Sequence, residues 1–389
     1  MSHFPPTPYS NPQHPYWLAL SLVKGLGHRH IIRLVEAFGS PKAAWEAPPS
    51  LLDEIETSPS LKEALLAARR TLDLSKEMLR VEAAQAYLVT LDDPHYPANL
   101  RTIDAPPPVL YVRGELRAQD ALAVTVVGTR SASSYGREAT FRLARELAIQ
   151  GVTIISGLAY GIDSAAHHGA LAGSGRTIAV FGCGIDRIYP PGNANLAEEI
   201  LSKRAGAWIT EFPIGTPPTG KNFPRRNRTL AGLARAVLVT EAPEGSGALL
   251  TADAALEQGR DVFALPSNIL NRSGAGTNHL IQDGARLITS VEDILDELHI
   301  TPTPRPRKPA PAAPPVKQPD PPAPPPAEPP PDLSAVETQL MALLTASPSH
   351  IDDLIRQSRL RADEVISAMT LLELKGLASM IGPMQYCRS

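Results

Sequence analysis

Seven short apolar runs, rich in β-branched residues, recur through the middle of the chain: VTVV (124–127), VTII (152–155), TIAV (177–180), AWIT (207–210), AVLVT (236–240), DVFAL (261–265) and RLI (286–288). They alternate with stretches in which apolar residues return at helical spacing. Continuous rather than alternating apolar runs predict strands covered on both faces, so the pattern implies a doubly wound, mainly parallel α/β sheet of Rossmann-like type. Ligands of such a sheet sit at the strand carboxyl ends, by the switch point.

The flanks have other patterns. In WLALSLVKGLGHRHIIRLVEAFGSPKAAW, apolar residues keep helical spacing on both sides of Gly25-Leu26-Gly27, which predicts two helices joined by a tight turn. Lys24, His28, Arg29 and His30 flank that turn, which either presents backbone amides to a nucleic-acid phosphate or simply needs glycine to bend. Sixteen of the forty prolines lie between Thr301 and Pro331. This segment lacks the periodicity of a packed core and reads as a polyproline tether, about 90 Å long if extended. Beyond it, helices over Val336–Thr345, Ile351–Gln357 and Ala362–Lys375, then two strands around Gly382-Pro383, predict a winged helix. Its recognition helix carries Asp363, Glu364, Glu373 and a single lysine, so contact with protein is as good a reading as contact with DNA. The domain expectation is therefore a helical module over 1–80, a sheet domain over 81–300, a linker over 301–333 and a winged helix over 334–389.

Composition sharpens this picture in three places. A net charge of -3 conceals a cluster, Lys221, Arg225, Arg226 and Arg228, within eight residues that hold no acid. Two cysteines, Cys183 and Cys387, exclude a disulfide framework and a cysteine-rich zinc module. No segment reads as a signal peptide or a membrane span, which predicts a cytoplasmic protein.

The loops that leave the strands carry glycine, hydroxyl and arginine side chains. Gly128-Thr129-Arg130-Ser131 follows the first strand of the seven, and Ser156-Gly157-Leu158-Ala159-Tyr160-Gly161 follows the second. Glycine lets a backbone approach a phosphate closely, and Arg130 offers a fork of donors. Neither loop is a dinucleotide fingerprint, and the phosphate-binding GxxxxGK[ST] pattern is missing. In Phe223-Pro224-Arg225-Arg226-Asn227-Arg228, proline can start a helix whose first turn carries three guanidinium groups, with Phe223 just outside to stack on a base. The bland alternative makes Phe223 a hydrophobic staple and the arginines a solvated face. Lys221 extends the basic track.

GTRSASSYG, SGLAYGID followed by HHGAL, GCGIDRIYP, TEFP, FPRRNRTLAGLARAVLVTEA, GSGALLTADAALEQGRDVFALP and NHLIQDGA together resemble the successive signatures of the DprA/Smf family of DNA-processing proteins. The resemblance runs from about Leu88 to Ile288, including an upstream segment, 92–116, similar to the family's extension of the sheet. It implies an extended Rossmann-like domain between a SAM or helix-hairpin-helix-like N-terminal domain and a C-terminal winged helix. It further implies a cytoplasmic homodimer that binds single-stranded DNA, protects it and helps load a RecA-type recombinase, with no catalytic residue, metal or cofactor. Carried over by motif, Arg130, Ser131, Ser156, Gly157, Phe223, Arg225, Arg226, Asn227 and Arg228 would line the DNA pocket, beside Gly128 of the first glycine loop. Lys221 joins them on charge alone. Three positions depart from the pattern: Thr129 where serine is commoner, Pro191-Gly192 where a lysine often follows Tyr189-Pro190, and Pro266-Ser267 where Pro-Gly is usual.

Two rival readings stand beside this one. A Rossmann-like nucleoside-monophosphate phosphoribohydrolase shares the architecture, yet EGSGALLTA does not reproduce its PGGxGTxxE motif, and no carboxylate is suitably spaced for a ribose pocket. An adaptor would rely on the acidic winged helix instead. Cys183 with His167 or His168 could suggest nucleophilic chemistry. Adjacent helical residues diverge by about 100°, however, and a cysteine between glycines reads as packing. Glu211, Glu241 and Asp253 read as groups that order the arginines.

Overall fold

Every residue of β3 (Ala123–Val127) is buried, as are all of β4 (Thr153–Ser156), β5 (Thr177–Val180), β6 (Gly206–Thr210) and β7 (Ala236–Val239). This two-sided burial is what the continuous apolar runs encode. In the computed structural model, which describes residues 11–52, 59–300, 333–345, 349–382 and 384–388, the chain forms two compact units, within Met1–Pro304 and Arg305–Ser389. Of the expected tether, only residue 333 lies among the described residues, and Pro383 lies outside them.

The first unit is built on a nine-stranded sheet that also contains β1 (Tyr87–Thr90), β2 (Val109–Gly114), β8 (Asp261–Ala264) and β9 (Arg286–Leu287). The strand order is β1-β2-β6-β5-β4-β3-β7-β8-β9. From β6 to β9 all pairings are parallel, while β2 runs antiparallel to both β1 and β6. The chain winds outward from β3 through β4, β5 and β6, then returns to lay β7 on the other side of β3. The switch point therefore lies between β3 and β7. All seven predicted strands are present, with ends displaced by a residue or so; β1 and β2 are the antiparallel extension.

Three groups of helices cover the sheet. Leu143, Leu147 and Ala166, on helices Ser134–Ile149 and Ile162–Ala172, pack on Val124, Val126 and Ile154. On the opposite face, Leu230 and Ala252, from helices Asn222–Leu233 and Leu249–Glu257, pack on Ile155, Val237 and Val239. The alternation of neighbours such as Ile154 and Ile155 between the two clusters is the two-residue period of a strand. The N-terminal helices place Trp17, Leu34 and Trp45 in one cluster with Tyr111, Phe181 and Trp208, so they share a core with the antiparallel edge. Helices His14–Leu22 and His28–Phe38 meet at the expected turn, where Gly25 adopts φ +85°.

The second unit is a winged helix. Helices Ala335–Leu343, Ile351–Ser358 and Ala362–Leu374 enclose Leu340, Leu354, Val365, Met369 and Leu372. Strands β10 (Ser349–His350), β11 (Ala378–Gly382) and β12 (Gln385–Arg388) form an antiparallel sheet in the order β10-β12-β11. Lys375, the single lysine at the recognition helix, bonds Glu337 at 2.8 Å within the unit.

Candidate nucleic-acid interface

The loop after β3 enters its helix through Ser133, whose hydroxyl accepts from the Gly136 amide at 2.9 Å. Tyr135 and Gly136 belong to the first turn of this helix, Ser134–Ile149. A positive helix end at this place in a doubly wound sheet is suited to a phosphate. Here Glu241, which follows β7, fills it. Its carboxylate accepts from the Ser133 amide at 2.9 Å, from the Ser133 hydroxyl at 3.0 Å and from the Ser273 hydroxyl. A Cβ at position 136 would lie 1.9 Å from Glu241 Oε2, so only glycine admits the carboxylate. Glu241 thus orders hydroxyl and amide groups, not the arginines expected from sequence.

The loop after β4 is filled in a similar way. Asp163, in the first turn of helix Ile162–Ala172, accepts from the Gly157 amide at 3.1 Å and the Ala159 amide at 3.2 Å. Burial pushes this carboxyl upward, and the charge of Arg226 partly offsets the push. Ser156 is fully buried and its hydroxyl donates to the Val126 carbonyl at 2.7 Å, so it cannot reach a ligand. That corrects its expected place in the pocket: a hydroxyl at the last position of a central strand is drawn to a neighbouring strand's carbonyl.

Helix Asn222–Leu233 starts before the proline, so Phe223 and Pro224 both lie in its first turn. The three arginines then diverge around the helix. Arg226 turns inward and is only 6% exposed. Its Nη1 donates to the carbonyls of Gly157 at 2.7 Å and Val180 at 2.8 Å. Arg225 turns away toward the N-terminal helices; its Nε donates to buried Glu211 at 3.0 Å, and its guanidinium lies 5.3 Å from the Phe212 ring and contacts His28. Arg228 pairs with exposed Glu257 at 3.0 Å. Arg225 and Arg228 therefore point away from Arg226, toward Glu211 and Glu257 respectively.

The Phe223 ring packs over Gly182, where a Cβ would approach Phe223 Cδ1 to 2.8 Å. Around it stand the Arg130 guanidinium at 5.4 Å, the Arg226 guanidinium at 5.8 Å and the Tyr189 ring at 5.9 Å. Phe223, Arg130 and Arg226 border a cavity of about 540 Å³ at the carboxyl ends of β3 and β7. Of the residues singled out in the sequence, Gly128, Arg130, Ser131, Phe223, Arg226 and Asn227 line it. Ser156, Gly157, Lys221, Arg225 and Arg228 do not, although Gly157 supports Arg226 from behind and exposed Lys221 adjoins the lining residue Gly220. Ser246, Gly247 and Thr251 close the cavity from the β7 side; they belong to the EGSGALLTA loop but were not among the expected site residues. Their signal was the Gly-Ser-Gly loop at the end of a strand beside the switch point.

The charge in the cavity is positive and available. Arg130 is exposed, and among the described residues no carboxylate pairs with it. Asp163 is the carboxylate in the lining, and loop amides already hold it. Cys183 is buried outside the lining, its thiol pushed up to about 11 by burial. His167 is fully buried, lowered to about 3 by desolvation, and its Nδ1 contacts the Thr177 hydroxyl at 2.7 Å. The N-terminal turn is likewise engaged, with Arg29 paired to Asp104 and His28 held near Glu211 at 3.3 Å. Among the described residues, no cluster of three metal-ligating side chains occurs and no helix is long and apolar enough to cross a membrane.

Comparison with known proteins places this geometry. Residues 87–299 match the model of the DNA recombination-mediator protein A family, and residues 308–380 match the DprA winged helix domain. Protein Smf of Synechocystis is 37% identical over 97% of this chain and 100% of its own length. The DNA processing protein DprA of Streptococcus pneumoniae is 43% identical over 53% of this chain and 72% of its own. The X-ray structure of DprA from Streptococcus pneumoniae superposes with a TM-score of 0.64 at 34% identity, covering 73% of this chain and 97% of that one. With a matching sheet domain, a matching winged helix and a relative aligned from end to end, the chain belongs to the DprA/Smf family of DNA-processing proteins.

Proposed function

We propose that this chain is a single-stranded DNA-binding recombination mediator, which protects the strand and helps a RecA-type recombinase load onto it during natural transformation or repair. The observation that carries the DNA reading is the partly exposed Phe223 ring, with the exposed Arg130 guanidinium 5.4 Å from its centroid, at the switch-point cavity. An aromatic face accepts any unpaired base, while the exposed Arg130 guanidinium beside it holds a phosphate. A base inside a duplex has both faces covered by its neighbours, so this platform selects single strands. The family's description as recombination mediators supports the rest of the reading. We assign the chain no catalytic role and propose that it acts as a cytoplasmic homodimer, which gains affinity on long strands because the second contact is intramolecular.

The hydrolase alternative is weaker. A ribose-cleaving carboxylate must be free to face its substrate, whereas Glu241 and Asp163, the carboxylates at these strand ends, are both held by amides of their own loops. The proposed function is tested by titrating labelled single-stranded and duplex DNA of equal length with the protein and with Phe223→Ala. Strong single-strand preference, lost in the variant, is expected. Equal and weak binding to both forms would overturn the reading and direct attention to free nucleotides. Sedimentation as a monomer at micromolar concentration would remove the homodimer, and unchanged RecA filament nucleation on coated strands would remove the loading step.

A further inference from the structure

We propose that Tyr189 and Tyr160 extend the stacking surface of Phe223, so that bases beyond the one in the cavity lie on these two tyrosines; this rests on the single-strand reading above. Among the described residues, the exposed Phe, Tyr and Trp side chains are Tyr135 (59%), Tyr160 (48%) and Tyr189 (39%). All three follow the carboxyl ends of adjacent strands, β3, β4 and β5 respectively. An isolated exposed aromatic residue needs no explanation, whereas three on one edge of a sheet, beside an arginine-lined cavity, mark a surface built for contact.

Tyr189 and Tyr160 are joined to the cavity by direct packing. The Tyr189 ring centroid lies 5.9 Å from that of Phe223, with the planes inclined at 36°. Three residues further along the same loop, Gly192 receives the Tyr160 ring; a Cβ there would lie 2.6 Å from the Tyr160 hydroxyl oxygen and 3.1 Å from Cε1. The surface therefore runs from Phe223 through Tyr189 and Gly192 to Tyr160. Tyrosine suits this task, because its flat face is apolar, its hydroxyl tolerates water and its two side-chain torsions cost little entropy when ordered. The occupant follows from continuity: a strand that leaves the cavity next to Arg130 meets these rings first, and every base has a face to stack.

The test is an abasic scan. A single-stranded oligonucleotide no longer than the bound footprint is made abasic at one position at a time. Each version is titrated against the unaltered protein, Tyr160→Leu/Tyr189→Leu, the two single variants and Phe223→Ala. Positions held in the cavity should cost affinity in both the unaltered protein and the tyrosine double variant. Neighbouring positions should cost the unaltered protein roughly 5- to 100-fold each and the double variant nothing. If no neighbouring position costs affinity, or if it costs the double variant equally, the tyrosines hold no bases and the inference is overturned. Should the double variant not fold, the single variants are read by the same criterion. Undiminished binding by Phe223→Ala would instead sink the cavity reading itself, so the two failures are distinguishable.

Discussion

The Glu241 carboxylate accepts a hydrogen bond from the Ser133 amide at 2.9 Å, and so an internal anion occupies the helix end that a doubly wound sheet ordinarily offers to a phosphate. Phosphates of a ligand must then be met by side chains, which gives Arg130 its importance. Glu241→Gln should lower stability by about 2 kcal/mol, since it removes a charged acceptor from two hydroxyl groups and one amide. Urea unfolding followed by tryptophan fluorescence checks this, because Trp17, Trp45 and Trp208 all belong to the first unit. An unaltered midpoint would mean that the carboxylate contributes nothing there.

Two glycines separate support from recognition. At Gly157 a Cβ would lie 2.0 Å from Arg226 Nη1, so Gly157→Ala should displace a buried guanidinium from its carbonyls and destabilise the fold by roughly 3 kcal/mol. At Gly182 the added methyl meets only the Phe223 ring. Gly182→Ala should therefore weaken single-strand binding about tenfold while changing the melting temperature much less. Equal effects of both substitutions on melting and on binding would contradict this division.

Acid should destabilise the first unit through two histidines, fully buried His167 and half-buried His28. Burial lowers His28 to about 4 and His167 to about 3. Both would take up protons near pH 6.5 when unfolded, so the unfolded state binds more protons below that value. The stabilisation from their neutral forms is present above pH 6.5 and falls as pH drops toward the folded values, by about 1.4 kcal/mol per pH unit for each histidine. Asp163 and Glu211, raised by burial, act in the opposite sense. Comparison with His167→Gln isolates one histidine: the slope of stability between pH 6 and about 5 should flatten by one proton. Parallel slopes would show that His167 is not protonated on unfolding.

How legible the fold was depended on the kind of signal. TIAV at 177–180 coincides with β5 because two-sided burial writes itself as an uninterrupted apolar run. The arginine directions were not readable. Arg225, Arg226 and Arg228 part around the helix axis, and which one turns inward depends on where the helix starts. It starts at Asn222, so Arg226 is buried while Arg225 goes to Glu211 and Arg228 to Glu257. Glu241 was equally obscure: its partners Ser133 and Ser273 lie 108 and 32 residues away, and no local pattern announces a contact made only by the folded sheet.

The most direct test of the DNA site is the salt dependence of single-strand binding, measured for the unaltered protein, Arg130→Ala and Arg228→Ala. Arg130 borders the cavity with no carboxylate partner among the described residues, whereas Arg228 lies outside it and pairs with Glu257. The account predicts that Arg130→Ala weakens binding for every base sequence and reduces the slope of log affinity against log salt by somewhat less than one, about 0.7. Arg228→Ala should leave both affinity and slope unchanged. An unchanged slope in Arg130→Ala, or a loss as large in Arg228→Ala, would contradict the placement of the strand at the switch-point cavity.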